Sequence, residues 1–201
     1  MPGPELNLDK DDRINLGQAT VMLLQTPRPA NNILAQMLHG FGVRDPILAD
    51  EVETALKRAQ TGGQIDMIIC DADGEGQSYD FVRRLRAKAP EPNKFCPVIL
   101  LSGHTPQAHV EQARDCGANF VVAKPLKAMV LLERIWWVSA EKRVFLETPG
   151  YAGPDRRFQS LGPPPGGSGR RVGDAEAVGE ASTPNLTQYE IDLFMRAPKV
   201  A

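Results

Sequence analysis

Short apolar runs alternate with stretches whose apolar residues recur at helical spacing. The runs ATVMLLQ, DPILAD, IDMIICD, CPVILLSG and NFVVAKP are continuous and bounded by turn residues, which is typical of strands buried on both faces. Each is followed by a helical pattern: ANNILAQMLHGFGV, EVETALKRAQTGG, SYDFVRRLRAKAP, TPQAHVEQARDCG and a long final helix, LKAMVLLERIWWVSAEKRVFL. Five strands alternating with five helices predict an α/β fold with a parallel sheet covered on both faces.

The alternation begins after a polar start and stops near residue 147. Residues 1–18 are polar and predict a flexible N-terminus, and 19–147 form the predicted domain. Residues 148–184 hold many glycines and prolines and almost no apolar periodicity. Such a stretch cannot bury enough surface to offset its ordering entropy, so we expect it to be disordered when free. Residues 185–197 then predict a short amphipathic helix.

The composition, with 42% hydrophobic residues, 24% charged residues and a net charge of −2, is that of a soluble globular chain. This charge argues against DNA as a partner, since general nucleic-acid binders carry a broad basic excess. No apolar run is long enough and free enough of charge to insert into a membrane. Cys70, Cys96 and Cys116 are isolated in apolar surroundings, which predicts buried reduced thiols and a cytoplasmic location.

Three polar side chains stand at the ends of successive predicted strands: Asp71, Ser102 and Lys124. In an open parallel sheet, functional groups gather beyond the carboxyl ends of the strands. IDMIICD, PVILLSG and GANFVVAKPL resemble the phosphoacceptor strand, the Ser/Thr strand and the Lys-Pro strand of CheY-like receiver domains. The resemblance covers residues 19–147 and implies a flavodoxin-like five-stranded parallel sheet with strand order 2-1-3-4-5.

The same resemblance implies a role for each of the three side chains. Asp71 would accept a phosphoryl group, Ser102 would hydrogen-bond its oxygens, and Lys124 would neutralise its charge. Receivers normally end the first strand in two acids that hold magnesium, whereas this chain has Gln25 and Thr26 there. Asp71 is then the one evident ligand if magnesium binds, so phosphorylation is expected to be slow; Asp73 or Glu75 could substitute, but nothing in the sequence requires it. A working phosphoacceptor supplied by a histidine kinase and a degenerate receiver kept as a scaffold both stay open.

The stretch GPDRRFQSLGPPPGGSGRRVGD, residues 153–174, is called the arginine segment below. It carries two Arg-Arg pairs with an aspartate near each, and lysine is absent from residues 143 to 198, which hints at use of the guanidinium itself. A guanidinium can donate two parallel hydrogen bonds to the O6/N7 edge of guanine, and aromatic rings can stack on bases. The predicted ligand-binding residues are Tyr151, Asp155, Arg156, Arg157, Phe158, Arg170, Arg171 and Asp174.

Two resemblances give this segment a ligand. The Arg-x-x-Asp spacing of RVGD resembles the inhibitory cyclic-di-GMP site of diguanylate cyclases. A receiver followed by GPDRRF and a second Arg-Arg element resembles the Cle group, CheY-like cyclic-di-GMP effectors with an arginine-rich extension that act at the flagellar motor. This likeness implies cyclic di-GMP as ligand, a flagellar motor or other signalling protein as partner, recruitment to the motor or cell pole, and no enzymatic activity.

Other interpretations of the chain stay open. It could be a phosphotransfer response regulator whose tail is only an adaptor, or a docking module with neither input. The arginine segment could also be an ordinary linker. Binding of nucleic acid through the arginines alone is disfavoured, because four arginines without a wider basic surface give little affinity at physiological salt.

The terminal stretch LTQYEIDLFM carries helix-start signals. Thr187 and Glu190 form a T-x-x-E capping box, and Leu186 and Ile191 occupy the positions of a hydrophobic staple. Ile191, Phe194 and Met195 share one face and form the predicted partner-binding side of the helix. The stretch resembles the LSQxEIDALL peptide of the flagellar switch protein FliM, which implies a latch on the chain's own receiver or a contact with a motor-associated partner. Local packing that caps the domain is the alternative.

Overall fold

The five apolar runs form one parallel sheet, as the sequence predicts. The computed structural model describes residues 16–24, 31–72, 76–140, 145–155 and 185–195. The strands of the sheet are β1 (Val21–Leu24), β2 (Ile47–Ala49), β3 (Met67–Asp71), β4 (Val98–Ser102) and β5 (Phe120–Ala123). They lie in the order β2-β1-β3-β4-β5, with every neighbouring pair parallel. The predicted order 2-1-3-4-5 is confirmed, and β5 is an edge strand of this sheet.

A helix follows each strand. The helices are α1 (Asn31–Gly40), α2 (Val52–Thr61), α3 (Gln77–Lys88), α4 (Gln107–Asp115) and α5 (Ala128–Ala140), with a 3-10 turn at Asn93–Phe95. Strands β1 and β4 are buried at every position, because side chains on both faces of the sheet are covered. Since all five strands run the same way, β3, β4 and β5 end at one edge of the sheet, called the carboxyl edge below.

The folded chain continues past the predicted domain boundary. Residues after α5 form an antiparallel hairpin of β6 (Phe145–Thr148) and β7 (Tyr151–Pro154). The predictions that the last helix reaches residue 146 and that disorder begins at residue 148 are therefore wrong. The helical apolar pattern does run on into Phe145, but Pro149 and Gly150 favour a turn. The ring of Phe145 then packs edge-on against that of Phe95, with centroids 5.3 Å apart.

The N-terminal boundary also needs correction. The flexible stretch predicted up to residue 18 is wrong at its end, because Leu16 packs against the core and its N–H donates to the carbonyl of Phe41 at 3.0 Å. Several predictions fall outside the described residues and stay predictions. They concern Gln25 and Thr26, the disorder of residues 156–184, and the ligand-binding roles of Arg156, Arg157, Phe158, Arg170, Arg171 and Asp174.

The predicted terminal helix is present as α6 (Gln188–Met195), and it lies against β5 and α4. Ile191 and Met195 are buried in the main core, and Leu186 packs against it. Phe194 belongs to the helix, but its side chain falls outside the described part. In the described ranges, no helix is long and apolar enough to cross a membrane.

Candidate functional site

Asp71 and Lys124 form an ion pair at the carboxyl edge. Asp71 is the last residue of β3, and Lys124 directly follows β5, so the parallel sheet brings together two residues 53 positions apart. The Nζ atom of Lys124 lies 2.8 Å from Oδ1 of Asp71. The Lys124 side chain is 29% exposed and the Asp71 side chain is 20% exposed, so a small molecule in solution can reach both. A carboxylate next to a cation is suited to receive a negatively charged group.

Ser102 ends the strand between these two residues, as predicted, but its hydroxyl is already engaged. Its Oγ donates to the carbonyl of His104 at 2.7 Å and accepts from the His104 N–H at 3.1 Å. A hydroxyl has one proton, so Ser102 must leave the His104 carbonyl in order to donate to another oxygen. The hydroxyl thus fixes the turn that follows β4.

The described residues at this edge do not by themselves form a magnesium site. In the part of the chain that the structure describes, no group of three or more His, Cys, Asp or Glu side chains could hold a metal ion. Asp71 is paired with the ammonium group of Lys124, and Asp73 and Glu75, which could substitute as ligands, lie outside the described residues. Magnesium prefers several oxygen ligands, so Asp71 alone, with a cation on it, does not suit it.

The edge strand β5 is covered by a side chain of α6. The Gln188 carboxamide accepts from the N–H of Ala123 at 2.8 Å and donates to the carbonyl of Val121 at 2.9 Å. These two backbone groups are those that a further strand would pair with. Gln188 therefore takes the place of one pair of strand-to-strand hydrogen bonds. It does so next to the ion pair, because Ala123 directly precedes Lys124.

A buried ion pair joins α6 to α5. The Nε–H of Arg134 donates to Oδ1 of Asp192 at 3.1 Å, and its Nη2–H donates to Oδ2 of the same carboxylate. Gln188 Nε2 also donates to Oδ1 of Asp192, at 3.0 Å. Arg134 lies over the ring of Trp137, 4.0 Å from its centroid, and is only 4% exposed. Such two-point pairing fixes the direction of α6 as well as its position.

The start of α6 is tied to the turn after β4 through Thr105. The N–H of Thr105 donates to Oδ1 of Asn185 at 2.9 Å, its hydroxyl donates to the carbonyl of Leu186 at 3.1 Å, and its carbonyl accepts from the Leu186 N–H at 2.7 Å. The predicted capping box is confirmed, since the N–H of Thr187 donates to Oε2 of Glu190 at 2.7 Å. Hydrogen bonds from the backbone and hydroxyl of Thr187 lower the pKa of the Glu190 carboxyl.

The hairpin packs at the opposite edge of the sheet, around the buried Arg86. This guanidinium donates to the carbonyls of Lys94 (2.8 Å), Cys96 (2.7 Å) and Gly117 (3.1 and 3.2 Å) and to Oδ1 of Asn119 (3.2 Å). These acceptors precede β4 and β5, so they lie where those strands begin. Burial lowers the pKa of Arg86.

The backbone of the hairpin comes close to Gly117. A Cβ there would lie 2.6 Å from the carbonyl oxygen of Ala152, and the φ of +97° also favours glycine. Tyr151 donates its hydroxyl to the carbonyl of Pro154 at 2.6 Å, and Asp155 follows directly. The two described residues predicted to bind a nucleotide thus stand at the end of the sheet away from Asp71.

The three cysteines are structural, apolar residues of the core. Cys70, Cys96 and Cys116 are free and buried, as predicted. Burial raises the pKa of Cys96 and of Cys116 to about 11, and that of Cys70 well above its usual value. The three thiols are therefore protonated at neutral pH and act as small apolar side chains.

Sequence reasoning missed four side chains that organise the two edges: Arg86, Thr105, Arg134 and Asp192. Glu133 and Arg134 interrupt the apolar run VLLERIWWV, and charged residues within such a run are a sign of a buried partner. Gln188 and Asp192 stand four apart, which places them on one side of α6. The contact between this side of α6 and α5 could not be inferred, because neither segment carries a sequence feature that identifies the other as its partner.

Comparisons with known proteins agree with this fold. The sequence model described as "Response regulator receiver domain" matches residues 21–136. Chemotaxis protein CheY of Pseudomonas aeruginosa is 30% identical over 104 residues, which are 51% of this chain and 82% of that protein. Among solved structures, chemotaxis protein CheY4 of Vibrio cholerae has a TM-score of 0.53 at 22% identity and is matched over 60% of this chain and 98% of its own.

A third relative illustrates the magnesium question. The receiver domain of a sensor histidine kinase from Pseudomonas aeruginosa, solved with magnesium coordinated in its active-site cleft, has a TM-score of 0.53 at 24% identity. The match covers 60% of this chain and 98% of that one. At this identity the likeness concerns the fold. The residues that would hold a metal here have to be judged from this chain itself.

Proposed function

The chain belongs to the response regulator receiver family, and from that premise we propose that it is a non-enzymatic signalling effector that binds cyclic di-GMP through its arginine segment. It would pass this signal to a protein partner at the flagellar motor or cell pole, as the likeness to the Cle group implies. Relatives that are named chemotaxis proteins support a motility partner. The proposed location is the cytoplasm.

The observation that carries this proposal is the place of the arginine segment along the chain. Its two Arg-Arg pairs lie between Asp155, which directly follows the hairpin, and Asn185, which precedes α6 and bonds to the receiver. Both ends of this connection contact the receiver, at opposite edges of the sheet. A ligand bound by both arginine pairs would therefore order the connection that leads to α6. Guanidinium groups suit such a ligand, because they bind both guanine edges and phosphate.

We expect calorimetry of the full chain to show binding of cyclic di-GMP that is weakened at least about 30-fold in Arg156→Ala/Arg171→Ala, since each two-point arginine–guanine contact contributes roughly 1–3 kcal/mol. The matched control is Arg44→Ala/Arg83→Ala, which removes the same charge from two exposed positions of the receiver. Equal binding by all three proteins, or no heat with the wild-type chain, contradicts the proposal.

Phosphotransfer is a second candidate function, and the Asp71–Lys124 pair favours it. An Oδ atom of Asp71 would attack the phosphorus of a phosphohistidine on a histidine kinase. The new O–P bond forms as the P–N bond breaks, and the imidazole leaves with the electron pair and takes up a proton. Lys124 would offset the charge of the transferred group, and the Ser102 hydroxyl would donate to it after leaving His104.

Acetyl phosphate tests this candidate without a kinase. We expect intact-mass measurement to show the gain of one phosphoryl group in the wild-type chain and in Asp50→Asn, which alters an exposed aspartate just after β2. No gain is expected in Asp71→Asn, which lacks the nucleophile. An unlabelled wild-type chain, with or without magnesium in solution, leaves the receiver as a scaffold, and the cyclic-di-GMP proposal is then unaffected.

A further inference from the structure

An aromatic side chain is partly exposed where the hairpin meets the receiver. Phe95, in the 3-10 turn before β4, is 38% exposed. A single exposed apolar side chain is ordinary on a protein surface, so its surroundings decide whether it has a role. Its ring packs against that of Phe145 at an angle of 69°, and the Nζ atom of Lys94 lies 6.0 Å from its centroid. The exposed ring thus belongs to the contact between β6 and the receiver.

The chain leaves the hairpin next to this ring. Phe145 lies opposite Pro154 in the register of the two strands, and Asp155 directly follows Pro154. Asp155 is half-buried, and the sequence predicts that it binds a guanine. A carboxylate accepts hydrogen bonds from the ring N–H and amino group of guanine in the plane of the base, so it leaves the faces of the base to other groups. An aromatic ring beside this carboxylate is suited to cover one face.

Tyr151, which the sequence predicts as a ligand-binding aromatic, stands in a different relation to Asp155. Its hydroxyl donates to the carbonyl of Pro154 at 2.6 Å. A Cβ at Gly153 would lie 2.7 Å from the Tyr151 hydroxyl oxygen, so the end of the ring is folded back over its own strand. The hydroxyl therefore holds the peptide from which Asp155 departs. This position suits Tyr151 to orienting Asp155.

We propose that Phe95 stacks on a guanine of cyclic di-GMP while Asp155 binds the edge of the same base, in a direction set by Tyr151. This inference rests on the proposed function and adds to the ligand site a fixed part that belongs to the receiver. The Lys94 ammonium, which is 2.7 Å from Oε2 of Glu147, lies near the same ring and can pair with a phosphate of the ligand. The nucleotide then contacts the folded receiver as well as the arginine segment, so that segment would become ordered against the hairpin.

Calorimetry of the full chain with cyclic di-GMP tests the stacking. Phe95→Leu keeps an apolar side chain against the hairpin, and we expect it to weaken binding about tenfold or more, because a base loses its aromatic partner. Phe95→Tyr keeps the ring and should bind like the wild type. The matched control is Phe145→Leu, which removes the other ring of the same contact and its contact with Arg86. It should weaken binding much less than Phe95→Leu.

Two further measurements separate stacking from packing. In the complex with the wild-type chain, NMR should show a nuclear Overhauser effect between the Phe95 ring protons and H8 of guanine, and Phe95→Leu assigns the signal by its loss. Tyr151→Phe keeps the ring and removes the hydroxyl, so it should weaken binding about fivefold, as loss of one hydrogen bond that orients Asp155 would produce. If Tyr151 were itself the stacking ring, this change would leave the affinity unaltered, and the role given to its hydroxyl would be wrong.

The outcomes distinguish this inference from the function on which it rests. If Phe95→Leu binds like the wild type while Arg156→Ala/Arg171→Ala binds weakly, the stacking is refuted and the proposed function stands. Equal losses in Phe95→Leu and Phe145→Leu also refute it, because the ring would then act only by holding the hairpin. A loss in Phe95→Leu without the Overhauser effect in the wild-type complex leads to the same conclusion. No heat with the wild-type chain refutes both proposals.

Discussion

Replacing Arg86 with methionine is expected to lower the free energy of unfolding by about 3–5 kcal/mol, because several buried acceptors lose their donor at once. Arg86 is 1% exposed, and the hydrogen bonds that it donates within the described residues go to carbonyl and carboxamide oxygens rather than to a carboxylate. It is held instead by three carbonyls and the Asn119 side chain. Methionine fills much of the space and removes a buried charge, but it cannot donate to these four oxygens. Its advantage in solvation is therefore outweighed.

Urea denaturation of Arg86→Met beside Arg84→Met gives the comparison. Arg84 lies two residues away on α3 and pairs with Glu53 on the surface, so its loss should cost less than about 1 kcal/mol. Arg86→Lys should be at least as harmful as Arg86→Met, since an ammonium keeps the charge but cannot reach the same acceptors as a planar guanidinium. Two methionine variants of equal stability would show that Arg86 does not hold the hairpin edge together.

The strands could be predicted because burial on both faces requires continuous apolar runs. MIICD and VILLS leave little alternative to central strands, and the side chains at their ends follow from the parallel arrangement. The hairpin was missed for a physical reason. Phe145 and Leu146 continue the apolar spacing of α5, while the ring of Phe145 packs against Phe95 and Arg86, which are distant in sequence.

Arginines show most clearly what the sequence leaves open. The sequence alone does not distinguish Arg86 from the pair Arg156–Arg157. Contacts in the structure give a structural role to Arg86, whereas Arg156 and Arg157 lie outside the described residues. The sequence points to a ligand for the arginine segment through spacing and resemblance. It gives no sign that Arg86 is buried, and for Arg134 it gives only its place within an apolar run, because the partners of both are supplied by the fold.

The two proposed functional regions lie at opposite edges of the sheet. The carboxyl edge holds Asp71, Ser102 and Lys124 and is linked to the start of the tail through Thr105. The opposite edge holds the hairpin that leads into the arginine segment. The same connection, residues 156–184, joins both edges. The two proposed inputs therefore enter at different places: phosphotransfer at the carboxyl edge, and cyclic di-GMP in the connection between the hairpin and α6.

Replacing Asp192 with alanine is expected to reduce the protection of the α6 amides by at least about 100-fold, since the buried Arg134 guanidinium loses its two-point partner and keeps only the neighbouring Glu133 carboxylate, 3.1 Å from its Nη1. Global unfolding should change much less. The helix can leave the receiver and so let Arg134 meet water, which limits the cost to the free energy of docking. Hydrogen exchange should therefore show loss of protection at Ile191 and Ala123, while β3 amides such as that of Ile69 keep theirs.

A double variant separates the charge from the shape of this contact. Arg134→Met/Asp192→Leu replaces the ion pair by apolar side chains, so protection of α6 should recover most of the loss, as apolar replacements of buried pairs often do. Asp192→Asn keeps the shape and one acceptor for Arg134, and should fall between the wild type and Asp192→Ala. If Asp192→Ala instead lowers the protection of β3 and α6 equally, the helix is an integral part of the folding unit. If α6 keeps its protection in Asp192→Ala, the ion pair does not hold the helix.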